Sequence, residues 1–375
     1  MSSKIRVALI YGGVSGEHSV SCLTAASVIR AIDPEKYEVL PIAIRTDGTW
    51  VPGTDDPDVL EAGGPHGVVP PSETQVLLGM NTQPETVYST SAARTDASAQ
   101  KLGVLGQVDV AFPLLHGPFG EDGTIQGMLE MAGVPYVGSG VFASAAGMDK
   151  HFMKVVMEAA DIPVAPYVVV TPKRWRMDRT GVLADAAMLT YPLFVKPARA
   201  GSSLGITKVN APDELDAAVT VAQKTDPKVL IEQGIVGREI ECAVLGGHGD
   251  DPARASVLGE IALDMEPGGW YDFDTKYVQT EDFHMEIPAA VDAGVAERMR
   301  ELAVRVFDAF ECEGMTRVDF FLTPDNQIIV NEHNTIPGFT KVSMYPVLWE
   351  HTGVPYPQLI DELISLALER PVGLR

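Results

Sequence analysis

Long apolar runs are missing from this sequence: none approaches the ~18 residues that a membrane-spanning helix requires. Cysteine is scarce. The three present, Cys22, Cys242 and Cys312, are odd in number and show no metal-ligand spacing, which excludes a disulfide framework and points to a reducing compartment, the cytoplasm. Positive charge is in deficit, with 28 Lys and Arg against 51 Asp and Glu and a net charge of −23. Such a chain repels nucleic acid and anionic membranes outside any local basic site, so neither is expected as a partner. Internal repeats are absent. The opening MSSKIRVALIYGG has a short apolar run cut off by glycines, which fits a buried strand better than a signal peptide. What remains is ordinary globular composition, 46% hydrophobic and 21% charged over 375 residues. At ~150 residues per domain, that length predicts two or three domains.

The first stretch alternates strands and helices. Ile5–Tyr11 is an apolar run ending in Gly12–Gly13, and Val20, Leu23, Ala26 and Ile29 then recur at helical spacing, with Ser15 as the expected N-cap and Glu17 in the first turn. Glu38–Ile44 and Val108–Leu115 are further strands, so a mostly parallel sheet is expected. Residues 52–100 are rich in Gly, Pro, Ser and Thr and predict a loop-rich insertion holding a strand such as Gln75–Leu78. Beyond it, the pattern predicts a helix, the strand Tyr167–Thr171 and another helix over 148–190. It then predicts strands Leu193–Lys196 and Ile206–Val209 around the loop Ala198–Gly205, strands Lys228–Glu232 and Glu239–Leu245, and a helix Ala289–Phe310. A hairpin Gly314–Asn334 and a final helix Pro357–Glu369 close the chain. Residues 268–286 are aromatic, acidic and irregular, long enough for a lid.

Four segments carry chemistry. In MTRVDFFLTPDNQIIVNEHN (315–334) the turn falls at Pro324–Asp325–Asn326. Centring it between Asp325 and Asn326 sets Asp319 opposite Glu332 and Arg317 opposite Asn334, all on one face. Two carboxylates and an amide oxygen suit a hard cation such as Mg²⁺; a solvated polar hairpin face is the alternative. In FVKPARAGSSLGITKV (194–209) a lysine precedes a Gly/Ser loop whose N–H groups can cradle phosphate, although this is no Walker A sequence and a plain hairpin turn fits equally. VLIEQGIVGRE (229–239) ends a strand in acids that fit adenine and ribose contacts or simply solvated loop acids. GGVSGEHSVS (12–21) and HGPFGEDGTIQG (116–127) are glycine-bounded loops after apolar strands, where α/β sheets bind ligands.

Taken in order, these motifs together with GSGVFASAAGMDK, YDFDTKY and NEHNTIPGFT resemble those of D-alanine–D-alanine ligases of the ATP-grasp superfamily, from the first strand to the last helix. The resemblance implies an α/β fold in three parts. These are an N-terminal parallel-sheet domain (1–147, with the insertion at about 52–100), a central ATP-grasp part (148–234), and a C-terminal part (235–375) carrying the lid 268–286 and the metal site. It implies ATP-dependent joining of two D-alanines through a D-alanyl phosphate, for peptidoglycan precursors. ATP, D-alanine and two Mg²⁺ ions, or Mn²⁺ in their place, are the implied ligands, and a homodimer the implied assembly. Lys150, Lys196, Ser202, Ser203, Glu232, Ile235, Glu239 and Lys276 match nucleotide positions, and Asp319, Glu332 and Asn334 match metal ligands. Glu17 and His116 match groups at the first D-alanine, Arg317 and Gly338 groups at the acyl phosphate, and Ser343 the second carboxylate. Tyr277 with Glu17 and Ser202 resembles a triad that closes the site. Two departures stand out: Ser19, where many relatives carry an acid, and His333, which by alternation points away from the metal face. A D-alanine–D-lactate ligase and a non-catalytic ATP-binding regulator are the competing readings.

Overall fold

The buried run at the start of the chain forms β1 (Ile5–Gly12), inaccessible along its last six residues as expected of a strand covered on both faces. A computed structural model describes residues 4–62, 69, 71–79, 86–91, 102–201, 204–263, 283–371 and 373. In it β1 leads to α1 (His18–Ala31), β2 (Tyr37–Ile44) and the short β3 (Trp50–Pro52). The helix starts later than expected, with Glu17 rather than Ser15 at its N-cap position. The Ser15 hydroxyl is turned across to the next loop, where it donates to the His116 carbonyl at 2.7 Å.

The insertion is more ordered than its composition predicts. After α2 (Pro57–Glu61), strands β4 (Thr74–Leu78), β5 (Thr86–Ser91) and β6 (Leu102–Gln107) pair into an antiparallel sheet of three. Then β7 (Val110–Pro113) returns beside β1, giving the order β3-β2-β1-β7 with β1 parallel to both neighbours. The expected parallel sheet is therefore present, with β3 as an antiparallel edge. Two helices follow, α3 (Thr124–Ala132) and α4 (Val141–Met148).

Next come α5 (Lys150–Ala159), β8 (Tyr167–Val170), α6 (Pro172–Met177), α7 (Arg179–Ala186), β9 (Leu193–Pro197), β10 (Thr207–Val209), α8 (Leu215–Ala222) and β11 (Val229–Gln233). The four strands form an antiparallel sheet in the order β10-β9-β11-β8, cored by Val195, Ile231 and Val219 among others.

The last part holds β12 (Arg238–Leu245), β13 (Arg254–Leu263), β14 (Phe283–Glu286), α9 (Ala293–Ala309), β15 (Met315–Leu322), β16 (Ile328–Asn334), α10 (Met344–Thr352) and α11 (Tyr356–Glu369). Its sheet runs β14-β13-β12-β15-β16. The end of the expected lid, Phe283–Glu286, is thus a strand paired with β13. The rest of that expectation, including Trp270, Tyr271, Phe273, Lys276 and Tyr277, lies outside the described residues, as do Ser202 and Ser203.

The five-stranded sheet sets up the site. One face, with Ile240, Cys242, Val244, Val318 and Phe320, packs on Met299, Ala303 and Val306 of α9 and on Met153 and Met157 of α5. The other face is apolar at Ala243, Leu245 and Met315, which share a core with β1, β7, α10 and α11 through Phe112, Tyr345, Trp349 and Leu363. Beyond the reach of those helices the same face turns polar, because alternation carries it on to Glu241, Arg317 and Asp319. The three cysteines are buried and unbonded. Among the described residues, no helix is long and apolar enough to cross a membrane.

Candidate active site

The hairpin register is the expected one where it matters. Arg317 faces Asn334 and Asp319 faces Glu332. Past them the register shifts, so that Phe320 faces Val330 and Asn331 is the extra residue of a bulge. On the other side of β15, Glu241 faces Asp319. Three carboxylates therefore lie in a row across β12, β15 and β16, with Arg317 and Asn334 in the next row.

Two cations hold this row. Arg317 grips Asp319 with both arms of its fork, Nε to Oδ1 at 2.7 Å and NH2 to Oδ2 at 2.8 Å, and its Nε is 3.0 Å from Glu241 Oε2. Burial acts against the guanidinium charge, but Asp319 and Glu241 more than offset it and raise its pKa well above the ordinary value. Asn334 Nδ2 donates to Asp319 Oδ2 at 3.0 Å. Lys150 Nζ lies 3.3 Å from Glu332 Oε2 and donates to the Ala200 carbonyl at 3.0 Å, tying α5 to the glycine-rich loop. His333 points to the opposite face, as alternation predicts. It is buried against Phe310, with ring centroids 4.0 Å apart, and burial lowers its pKa to about 4.

Glu17 comes to the same place from the other end of the chain. Its Oε2 lies so close to Gly117, which has φ +72°, that a β-carbon there would approach it to 2.8 Å. A β-carbon on Gly201 would be 3.5 Å from that oxygen, so the carboxylate sits between the His116 loop and the glycine-rich loop. His116 is buried, with Thr24 Oγ1 at 3.5 Å from Nε2, and burial lowers its pKa against the pull of Glu17. Glu121 accepts from the Gly117 N–H at 2.7 Å. Burial first, then the charges of Glu17 and Glu332, raise its pKa to about 8.

One cavity of about 330 Å³ gathers these groups. Glu17, His116, Lys150, Arg317, Glu332 and Asn334 line it, and so do Gly338 and Ser343. Ser343 stands at the N-cap position of α10 with no side-chain bond to its own helix; its hydroxyl is engaged instead by Thr340, 3.1 Å from N and 2.7 Å from Oγ1. Asp319 does not line the cavity, but accepts from the Arg317 fork that does. Lys196, Glu232, Ile235 and Glu239 do not line this cavity; Lys196 and Glu232 form a buried pair at 2.6 Å in the four-stranded sheet, while Ile235 and Glu239 are half-buried beyond it.

The donor set fits a hard divalent cation, since Asp319, Glu332 and the Asn334 amide offer only oxygen on one strand face. As the chain stands, Arg317 and Lys150 engage these oxygens. Among the described residues, no cluster of three His, Cys, Asp or Glu side chains is arranged to hold an ion. Motif reading passed over three further residues: Glu121 and Glu241, which belong here, and Lys154, which belongs with the Lys196–Glu232 pair. Glu121 lies inside a recognised motif, and Lys154 interrupts the apolar stripe of α5, which is a readable signal. Glu241 had none, because its neighbour Asp319 is reached only through the long-range pairing of β12 with β15.

Two family models match the chain. The model described as D-ala D-ala ligase N-terminus matches residues 6–139, and that described as D-ala D-ala ligase C-terminus matches residues 156–365. The chain belongs to the D-alanine–D-alanine ligase family. A D-alanine–D-alanine ligase of Arthrobacter sp. is 50% identical over 375 residues, covering 100% of this chain and 96% of the relative. One from Pseudarthrobacter chlorophenolicus is 51% identical over 373 residues, 99% and 96% of the two chains. Among solved structures, the VanG D-Ala:D-Ser ligase from Enterococcus faecalis superposes with a TM-score of 0.82 at 35% identity, covering 97% of this chain and all of that one. The D-alanine–D-alanine ligase from Coxiella burnetii gives 0.78 at 32%, covering 98% and 95%. The fold is therefore the α/β fold of the ATP-grasp ligases, and the family is ATP-dependent and acts on small molecules.

Proposed function

We propose that the chain joins two D-alanines into D-alanyl-D-alanine while ATP becomes ADP and phosphate, supplying a peptidoglycan precursor. The observation that carries this is the meeting of Glu17, Arg317, Glu332, Asn334 and the N-terminus of α10 around one cavity, with Asp319 bound by the Arg317 fork.

A carboxylate is a poor acyl donor because oxide is a poor leaving group. Transfer of the γ-phosphoryl group to the first D-alanine's carboxylate makes an acyl phosphate, and the second D-alanine's amine displaces the phosphate. Negative charge collects on phosphoryl and acyl oxygens in both steps, so the site needs positive groups rather than a protein nucleophile. Arg317 supplies a rigid fork for those oxygens, and Gly338 lets the backbone approach them. Two Mg²⁺ ions, or Mn²⁺, held by Asp319, Glu332 and Asn334 would draw charge from the phosphoryl oxygens. Glu17 accepts from the first D-alanine's ammonium, beside His116. Ser343 and the N–H groups opening α10 receive the second carboxylate. Lys150 and Lys196 serve the ATP phosphates, with Glu232, Ile235 and Glu239 toward adenine and ribose. Ser202, Ser203, Lys276 and Tyr277 belong to the segments that close over the nucleotide and keep water from the acyl phosphate. The three-part division at 147/148 and 234/235 and the homodimer are part of the same reading.

The E. faecalis comparison makes D-serine a second candidate for the incoming amine. Phosphate release from Mg-ATP tests the reading. Release that requires D-alanine and ignores L-alanine supports it; release independent of any amino acid contradicts it.

A further inference from the structure

Glu232 is one carboxylate shared by two lysines. Its Oε1 accepts from Lys196 Nζ at 2.6 Å, and its Oε2 lies 2.7 Å from Lys154 Nζ. All three residues are buried, Lys154 at 1% exposure, Glu232 at 4% and Lys196 at 8%. The pair of cations leaves this cluster with one positive charge in excess. Glu158 also acts on Lys154, but it is the weakest of the influences on that lysine and is itself exposed to water, where its carboxylate accepts from the Tyr167 hydroxyl at 3.1 Å. Buried excess charge is costly, so the cluster is built to receive an anion.

The two lysines are not equivalent. Lys154 is on α5, between the core residues Met153 and Met157, with its Nζ 5.5 Å from the centre of the Tyr167 ring. Its side chain is 1% exposed, against 11% for Lys196. Lys196 is the penultimate residue of β9, on the strand that leads into the glycine-rich loop.

We infer that Lys154 is a positioning residue: it is the standing counter-ion of Glu232, and by holding that carboxylate it releases Lys196 to the phosphates of the nucleotide. This rests on the nucleotide reading given above. Without Lys154, moving Lys196 onto a phosphate strands a buried carboxylate, and that cost is subtracted from the phosphate contribution to binding.

The test is the ratio of adenosine to ADP dissociation constants, in which the adenine contacts cancel. It is measured by displacement of a fluorescent ATP analogue from the full chain. Lys154→Met is expected to lower this ratio by about tenfold or more, with D-alanine KM little changed. Lys154→Met combined with Glu232→Gln removes the charge that traps Lys196 and is expected to restore the ratio. Because both buried charges are then gone, the double variant also remains informative if Lys154→Met alone does not fold. A folded Lys154→Met protein with the parent's ratio overturns the inference, as does a double variant that leaves the ratio low or, if the single variant does not fold, below the parent's. A parent chain that gains nothing from the two phosphates overturns the nucleotide reading itself, and the inference with it.

Discussion

Replacing Arg317 by Met removes one positive charge from between two buried carboxylates. Asp319 is 9% exposed and Glu241 5%. Both lose their partner at 2.7–3.0 Å, and Glu332 faces Asp319 directly across the strands. Breaking a buried ion pair from one side costs about 3–5 kcal/mol. The Asn334 amide, still 3.0 Å from Asp319, offsets only part of that, since a neutral hydrogen bond contributes ~1 kcal/mol. The expected loss of stability is therefore about 2–4 kcal/mol in metal-free buffer. A divalent cation on the same oxygens replaces the missing charge, so millimolar Mg²⁺ is expected to stabilise the variant more than the parent. Arg317→Lys, which keeps the charge but not the fork, is expected to fall between them. Urea unfolding of the three proteins, with chelator and with Mg²⁺, measures each value. A deficit under ~1 kcal/mol, or one that Mg²⁺ leaves unchanged, refutes the claim that this row is a charged cation-binding face.

Three further expectations concern single residues. Glu121 has its pKa raised from 4.5 to about 8 in the fold, so its stabilising contribution is complete below pH 4.5 and is lost as pH rises through 8; Glu121→Gln is expected to flatten the fall in stability over that window, whose slope approaches ~1.4 kcal/mol per pH unit, as measured by unfolding at several pH values. His333 is held neutral, with its pKa lowered from 6.5 to about 4, so its contribution is present above pH 6.5 and is lost as pH falls through 4; His333→Phe is expected to lessen acid destabilisation between those values. Gly147→Ala puts a β-carbon 2.8 Å from the His333 ring, which is expected to cost about 1–3 kcal/mol and to lower turnover by displacing the strand end that carries Glu332 and Asn334. A thermal midpoint and rate equal to the parent's would contradict it.

Local order was readable and long-range order was not. The hairpin could be set from its Pro-Asp-Asn turn, yet the register at the tip is centred on Asp325, one residue-sum short of the expected value. The bulge at Asn331, beside the bridge of Val330 to Val164, restores the expected pairs at the functional end. Ser15 falls short of the cap position: its oxygen accepts from the Glu17 N–H at 3.2 Å, ahead of the helix, while its hydroxyl donates to a tertiary partner, the His116 carbonyl. The insertion read as loop because its strands are short and set among Gly, Pro, Ser and Thr; in the fold they pair with one another and bury Val76 and Val87 against Ile10 and Ile42 of the first sheet. Glu241 escaped notice since β12 and β15 are separated in the chain by residues 246–314. Lys154 was legible in principle as a charge among Met153 and Met157 of α5, though not its partner Glu232, which lies far along the chain on β11.

The most direct measurement is product identity. The purified protein is given Mg-ATP with D-alanine alone, then with equimolar D-serine or D-lactate added, and the products are separated and weighed by mass spectrometry. The account predicts D-alanyl-D-alanine as the product with D-alanine alone and as the dominant product in both mixtures. Dominance of a D-seryl or D-lactyl product, or ATP turnover without any peptide, would contradict it.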